Sequence, residues 1–184
     1  MKQLRQRGKS GSASRQPIWV AVAAAILLAG TIAFAGAQTA IGGHIGFVLP
    51  IVTRVAGQTT NLGDNFVIGF PVGITIKGRG RMAFDMELVS SIQNKPRMVS
   101  LTVHPGVVWG VGHGFGVGGR AAFDINSSQF GFTPLVSKSW PIKTENGFFK
   151  TYFAEADLPI RFNRPIGGPS TNPVTFAAHF GLGF

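Results

Sequence analysis

The final segment of the printed sequence, residues 176–184, alternates between apolar residues and small or polar ones. Phe176, Ala178, Phe180, Leu182 and Phe184 share one parity. A β-strand turns successive side chains to opposite faces, whereas a helix repeats every ~3.6 residues and would mix the two sets. The segment is therefore predicted to be a strand with one wholly apolar face. Such a face has to be covered by a core or by lipid, which restricts the chain to few β-architectures.

Seven earlier segments show the same alternation, so the sequence contains eight candidate strands. They span residues 41–51, 66–76, 82–92, 99–109, 115–125, 130–140, 148–160 and 176–184. Turn-forming residues lie between them, with short connections predicted at 77–80, 94–97 and 110–114 and longer loops at 53–64 and 163–173. Proline removes a ladder donor, so we expect bulges or shortened strands at Pro50, Pro71, Pro105 and Pro134.

The first part of the chain has the organisation of a secretory signal peptide. Basic residues between Lys2 and Arg15 precede an apolar stretch over residues 18–35, and Ala35-Gly36-Ala37 matches a cleavage site. Cleavage is expected after Ala37, with Ala35 as the second choice. The alternative is an uncleaved inner-membrane anchor. The sequence thus predicts a signal peptide over residues 1–37 and one barrel domain over residues 38–184.

The strongly basic composition is partly a property of this targeting segment. Five of the 17 lysines and arginines lie in residues 1–37, so the rest carries 12 basic against seven acidic residues, a net +5 instead of +10. The charge balance of residues 38–184 therefore gives little support for a nucleic-acid partner, and none is expected. The chain has no cysteine, which excludes disulfides and a cysteine-linked lipid anchor.

Alternation alone does not say whether the apolar face meets a soluble core or lipid, but two features favour lipid. The opposite faces are mostly glycine, alanine, threonine and serine. The 12 basic and seven acidic residues are fewer charges than the exterior of a soluble barrel usually carries. Aromatic residues also collect near strand ends, as in the interfacial girdles of membrane barrels. One predicted girdle contains Trp109, Phe115, Trp140, Phe148, Tyr152 and Phe184, and the other contains Phe66, Phe130, Phe132, Phe162 and Phe176.

The signal peptide, eight strands, two girdles and terminal phenylalanine together resemble the small outer-membrane barrels of the OmpA/OmpX/opacity-protein type. The resemblance implies an all-β fold: an eight-stranded antiparallel transmembrane up-and-down β-barrel after a cleaved signal peptide. It also implies a monomer in the outer membrane of a Gram-negative-type bacterium, among outer-membrane lipids and lipopolysaccharide, with a structural or surface-interaction role. The barrel assembly machinery inserts such proteins, and the residues matching its signal are Phe176, Phe180, Leu182 and Phe184.

Charged residues and histidines on the opposite parity are predicted to point into the barrel. They are Asp85, Glu87, His104, Arg120, Asp124, Glu155, Asp157, Arg161 and His179, with His44 on the same parity. An eight-stranded barrel is only wide enough for its own side chains, and charges in so dry a space have to be paired. The pattern therefore predicts a salt-bridged plug. The alternative is a proton or ion path, or an acid–base pair such as Glu155 with His179.

The sequence offers little support for catalysis. One branch of the resembled family contains lipid A-modifying enzymes, and its deacylases carry a His-x-Ser pair. None of His44, His104, His113 and His179 has serine at that spacing. The histidines also lack the paired spacing of a metal site. We therefore expect no enzyme, no cofactor and no metal, while the inward glycines leave open a narrow channel for small or hydrophobic solutes, as in OmpW-type barrels.

Four basic residues fall in or beside loops predicted to be extracellular: Arg54, Lys95, Arg97 and Arg164. The outer leaflet of such a membrane is rich in phosphate-bearing lipopolysaccharide, so these residues are candidate lipopolysaccharide contacts. The alternative is that they are solvated loop charges, which contribute little individually.

Overall fold

A computed structural model describes residues 40–125, 127–144 and 146–184. The predicted signal peptide, residues 1–37, lies outside the described residues. The strands are β1 (Ala40–Val55), β2 (Gln58–Asn61), β3 (Val67–Lys77), β4 (Met82–Gln93), β5 (Met98–Gly112), β6 (Phe115–Asp124), β7 (Gln129–Pro141), β8 (Thr151–Asp157), β9 (Ile160–Asn163) and β10 (Val174–Gly183). Over these ranges the chain forms no helix of the length and apolarity that a membrane crossing requires.

The strands close into a ring of antiparallel pairs. β1 pairs with β3 on one side and with β10 on the other, and the remaining strands follow between them. β8 and β9 both lie between β7 and β10 and share one position of the ring, while β2 forms a hairpin with the end of β1. The ring of described strands thus has eight positions. The prediction of an all-β, antiparallel up-and-down barrel is confirmed.

Aromatic rings pair at both ends of the barrel. The Phe184 end carries the β3–β4, β5–β6 and β7–β8 connections, and the Arg54 end carries the others except the β8–β9 break, which lies within the wall. At the Phe184 end, Trp140 stacks on Tyr152 with centroids 5.2 Å apart. At the Arg54 end, the Phe130 and Phe162 centroids are 5.5 Å apart. These two levels correspond to the two predicted girdles.

Two predicted boundaries were wrong. Much of the loop predicted at 53–64 is a hairpin, because Ala56 and Gly57 take positive φ values of 49° and 80° and form a two-residue turn between β1 and β2. The strand predicted over 148–160 begins only at Thr151 and breaks after Asp157. Pro159 follows the break and has no N–H to continue the ladder.

The prolines disturb the strands less than expected. The register shifts between Pro50 and Val52, which is the predicted bulge. Pro71, Pro105 and Pro134 instead lie in ladders of unbroken register, so the expectation was wrong for these three. One ladder beside Pro71 and one beside Pro105 lack two residue pairs each, but the register is the same on either side of the gap.

The barrel reverses the arrangement of a soluble protein, with apolar side chains outside and polar side chains inside. The apolar residues of the predicted outward parity are exposed, including Val72, Leu88 and Val136. Buried aliphatic side chains among the described residues are limited to Val89, Ala122, Leu135 and Ala177, whereas nine buried side chains are polar or charged. Soluble monomers rarely expose so continuous an apolar surface. In membrane barrels, a continuous apolar surface of this kind is the surface that lipid contacts.

Candidate functional site

Polar side chains from six strands converge inside the barrel, and we call them the plug cluster. They are His44 on β1, Asp85 and Glu87 on β4, His104 on β5, Arg120 on β6, Glu155 and Asp157 on β8, and His179 on β10. Each is at most 9% exposed. The alternation that turns their apolar neighbours outwards turns these side chains inwards.

Arg120 is the centre of the plug cluster and joins carboxylates from strands on both of its sides. Its Nε donates to Asp85 Oδ2 at 2.8 Å and lies 3.4 Å from Glu87 Oε2. Its Nη1 donates to Glu155 Oε1 at 2.6 Å. Charge-assisted bonds of this length are the stronger class of hydrogen bond. The guanidinium therefore fastens β4 and β8 to β6 across the lumen.

Three histidines extend this network to β1, β5 and β10. His179 Nδ1 lies 3.2 Å from Glu155 Oε1. His44 Nε2 and His104 Nδ1 each lie 3.5 Å from an oxygen of Glu87. The Glu87 carboxylate is thus flanked by two imidazoles as well as by the guanidinium.

Two glycines make room for large members of the plug cluster. Gly106 is the cross-strand partner of Arg120, and a Cβ at that position would lie 2.6 Å from Arg120 Cγ. Gly73 lies opposite both His44 and Glu87, and a Cβ there would overlap the His44 ring. Neighbouring side chains therefore fill the space that these glycines leave, which weakens the case for a glycine-lined conduit.

The plug cluster holds more carboxylates than permanent cations. Asp85, Glu87, Glu155 and Asp157 face one guanidinium, that of Arg120. An uncompensated charge in a dry interior is strongly unfavourable. The remaining negative charge has to be balanced by protons on the histidines, by protons on the carboxylates, or by a bound cation.

Two cavities meet at the plug cluster. The cavity at the Phe184 end has a volume of about 820 Å³, and Glu155 lies in its wall. The cavity at the Arg54 end has a volume of about 250 Å³, and Asp157 and His179 lie in its wall. Arg120 is the residue that lines both. Its side chain therefore lies between the two cavities.

The other two predicted lumen charges lie between the plug cluster and the Arg54 end. Arg161 Nη2 is 2.9 Å from His104 Nε2, and Arg161 Nη1 donates to Thr133 Oγ1 at 3.1 Å. Asp124 Oδ1 accepts from Thr102 Oγ1 at 2.6 Å. Thr102 and Thr133 were not among the predicted lumen residues, because charge alone does not identify them. Their inward parity is the signal that would have identified them.

The residues of the predicted assembly signal lie on the outside of the closing strand. Phe176, Phe180 and Phe184 are half-exposed on the outer face, and Leu182 shares their parity on β10. The Phe184 ring stacks on Phe148 with centroids 4.8 Å apart, and the Phe184 backbone exchanges hydrogen bonds with β1. This apolar face therefore covers the seam between the first and last strands of the ring.

The four candidate lipopolysaccharide contacts are all exposed at the Arg54 end: Arg54, Lys95, Arg97 and Arg164. Arg54 lies near the end of β1, Lys95 and Arg97 lie in the β4–β5 connection, and Arg164 lies in the β9–β10 connection. Lys95 Nζ donates to the Asp64 carbonyl at 3.3 Å, and Arg164 Nη1 donates to Asn172 Oδ1 at 2.9 Å. Two of the four bases are thus already engaged by loop atoms.

The closed antiparallel ring, the apolar outer face and the charged interior define the class of this protein, a small transmembrane β-barrel. The OmpA/OmpX/opacity-protein subtype stays a prediction.

No protein-family model matches the chain, and no curated protein matches it. Among solved structures, the chain is similar to the outer membrane protein OprG from Pseudomonas aeruginosa, with 12% identity and a TM-score of 0.38 over 80% of this chain and 96% of that chain. It is also similar to a de novo designed transmembrane β-barrel, with 10% identity and a TM-score of 0.35 over 74% of this chain and 94% of that chain. The fold assignment itself rests on the strand pairings above.

Proposed function

We propose that the chain is a small barrel of the Gram-negative outer membrane, with a structural or surface-interaction role and a lumen closed to solutes. One observation carries the closed lumen: Arg120 lies between the two cavities and is bonded on both sides, to Asp85 and to Glu155. Opening a path would break charge-assisted bonds in a dry interior. With the lumen closed, interactions with other molecules have to involve the outer surface and the loops.

The membrane placement is supported by the exposed apolar face of the ring. A closed barrel is the one strand-built structure that satisfies all backbone groups within lipid. We propose no catalytic role. Among the described residues, the serine hydroxyls with side-chain hydrogen bonds, Ser127 and Ser128, contact Gln129 and Asn163, so neither is paired with a histidine as a nucleophile requires.

Planar-bilayer recordings of the refolded protein test the closed lumen. The wild-type barrel is expected to give no discrete conductance steps, and Arg120→Ala is expected to give them because it removes the wall between the two cavities. Arg81→Ala is the matched control, since Arg81 is an exposed base lining the larger cavity, and it should stay silent. Stable conductance steps from the wild-type protein would overturn the closed lumen and favour a narrow channel.

We propose that the outer face of β10 is read by the barrel assembly machinery. Phe184→Ala removes one stacked ring, so the free energy of unfolding should fall by only about 0.5–1.5 kcal/mol, the usual contribution of an aromatic pair. The amount of protein in the outer membrane should fall severalfold. Urea unfolding and immunoblots of membrane fractions measure the two effects. Phe148→Ala removes the same stack and should leave the membrane level unchanged, whereas a normal level for Phe184→Ala would contradict the proposal.

We propose that the bases at the Arg54 end contact lipopolysaccharide phosphates. Single exposed ion pairs contribute only about 0–1 kcal/mol, so the four bases have to act together. Replacing Arg54, Lys95, Arg97 and Arg164 by glutamine should weaken retention on lipopolysaccharide-coated beads, most strongly at low salt, where screening is least. The matched control replaces four exposed bases at the Phe184 end: Lys77, Arg79, Arg81 and Lys143. Equal retention of wild-type and fourfold variant across a salt series would leave the bases as solvated loop charges.

A further inference from the structure

We propose that Glu155, Asp157 and His179 bind one divalent metal ion of the zinc type inside the barrel. The three side chains meet because of strand register. In the β8–β10 ladder, His179 lies directly opposite Glu155, and Asp157 follows Glu155 by two residues on the same inward face. Nothing in the linear spacing of the three residues reveals this, since two of them are on one strand and the third is placed beside them by the β8–β10 pairing.

The distances suit a single ion. His179 Nδ1 lies 3.2 Å from Glu155 Oε1 and 4.0 Å from Asp157 Oδ2. One potential ligand atom from each residue lies within 4.8 Å of the others. Zinc binds imidazole nitrogen and carboxylate oxygen at about 2.0–2.2 Å, which places tetrahedral ligand atoms about 3.4 Å apart. Small side-chain adjustments would therefore bring all three donors onto one ion.

The Asp157 side chain gives evidence for a bound ligand that is independent of the clustering of the three residues. Its side chain is buried, with a relative exposure of 5%, and its Oδ1 has no hydrogen-bond partner. The nearest cation, Arg120 Nη1, is 3.9 Å away, which is too long for a hydrogen bond. His179 is 1% exposed, and its Nδ1 faces both carboxylates. Unsatisfied buried polar atoms are rare in folded proteins and call for a specific partner.

A cation would also correct the charge imbalance of the plug cluster. Arg120 is shared among several carboxylates and donates its shortest hydrogen bond to Glu155. Its positive charge therefore does little to compensate the carboxylate of Asp157. The mixed set of one imidazole and two carboxylates suits zinc and similar divalent transition metals better than magnesium or calcium, which prefer all-oxygen sites. Asp157 and His179 line the cavity at the Arg54 end, which gives an ion and a coordinated water a route to the site.

Metal titration of the untagged, refolded barrel in detergent micelles tests the site. The probes are Zn²⁺, followed by calorimetry, and Co²⁺, whose visible absorption reports its coordination. Wild-type protein is expected to bind one ion per barrel and to melt at a higher temperature as Zn²⁺ is added, because the folded state alone holds the site. Asp157→Asn and His179→Gln should each weaken binding by more than about tenfold, the smallest loss seen when even an outer-shell partner is removed.

Two controls separate this site from other sources of binding. Asp124→Asn removes a lumen carboxylate that is bonded to Thr102, and His113→Gln removes an exposed histidine. Both should leave the affinity unchanged. Circular dichroism of Asp157→Asn checks its fold, which should persist because the altered oxygen has no partner to lose. Absence of saturable binding to the wild type, equal affinity in Asp157→Asn, or loss of binding in His113→Gln would overturn the proposal.

Discussion

Replacing Arg120 by alanine is expected to lower the free energy of unfolding by about 3–5 kcal/mol, the loss typical when one partner of a buried ion pair is removed. The substitution leaves Asp85, Glu87 and Glu155 without their guanidinium in an interior where each is buried. Urea unfolding of the refolded protein, followed by tryptophan fluorescence, measures the change.

Two comparison variants separate the network from a general effect of losing charge. Arg97→Ala removes an exposed base between β4 and β5 and should change stability by only about 0–1 kcal/mol. Arg120→Lys keeps the charge but loses the forked geometry, so its effect should lie between the wild type and Arg120→Ala. A urea midpoint that does not move in Arg120→Ala would show that the lumen is hydrated and would favour the channel.

Placing an arginine on the outer face at mid-height, in Leu88→Arg, is expected to destabilise the barrel by about 2–4 kcal/mol in lipid vesicles. Leu88 follows Glu87 of the plug cluster and is 46% exposed on the outside, between Val72 and Val103 of the neighbouring strands. A guanidinium there would lie in hydrocarbon. Folding titrations in urea with vesicles of fixed composition measure the difference.

Ile92→Arg is the matched control for Leu88→Arg. Ile92 lies on the same face of the same strand, next to the β4–β5 connection, and is 48% exposed. An arginine near the membrane interface costs only about 0–1 kcal/mol. Equal losses at the two positions, or no loss at Leu88, would mean that the outer face does not cross a hydrocarbon layer.

The faces of the strands could be predicted from sequence because the period-two alternation is local. Each inward charge and each outward apolar residue follows from its parity along one strand, as for Glu87 beside Leu88. The same parity held through Pro71 and Pro134, where the backbone loses one donor but keeps its register. Parity failed only at local backbone events, such as the bulge after Pro50.

The contacts within the lumen could not be predicted in this way, because they depend on register between strands. The candidate pair of Glu155 and His179 was named from parity, but it becomes a contact because β8 and β10 align those two residues, and spacing along the chain does not fix that alignment. The central position of Arg120 likewise depends on Gly106 of the neighbouring strand, whose missing side chain admits the arginine stem. The lumen was therefore predictable as a set of residues but not as a geometry.

In this barrel the apolar face meets lipid while the polar face encloses the lumen. Since the chain has no cysteine, single spin labels can be placed at Val136→Cys and Ser137→Cys, consecutive residues of β7. Val136 is exposed on the outer face, and Ser137 lines the larger cavity. In vesicles, the label at Val136 should be relaxed by lipid-soluble oxygen and the label at Ser137 by a water-soluble nickel chelate. The reverse pattern would contradict the account.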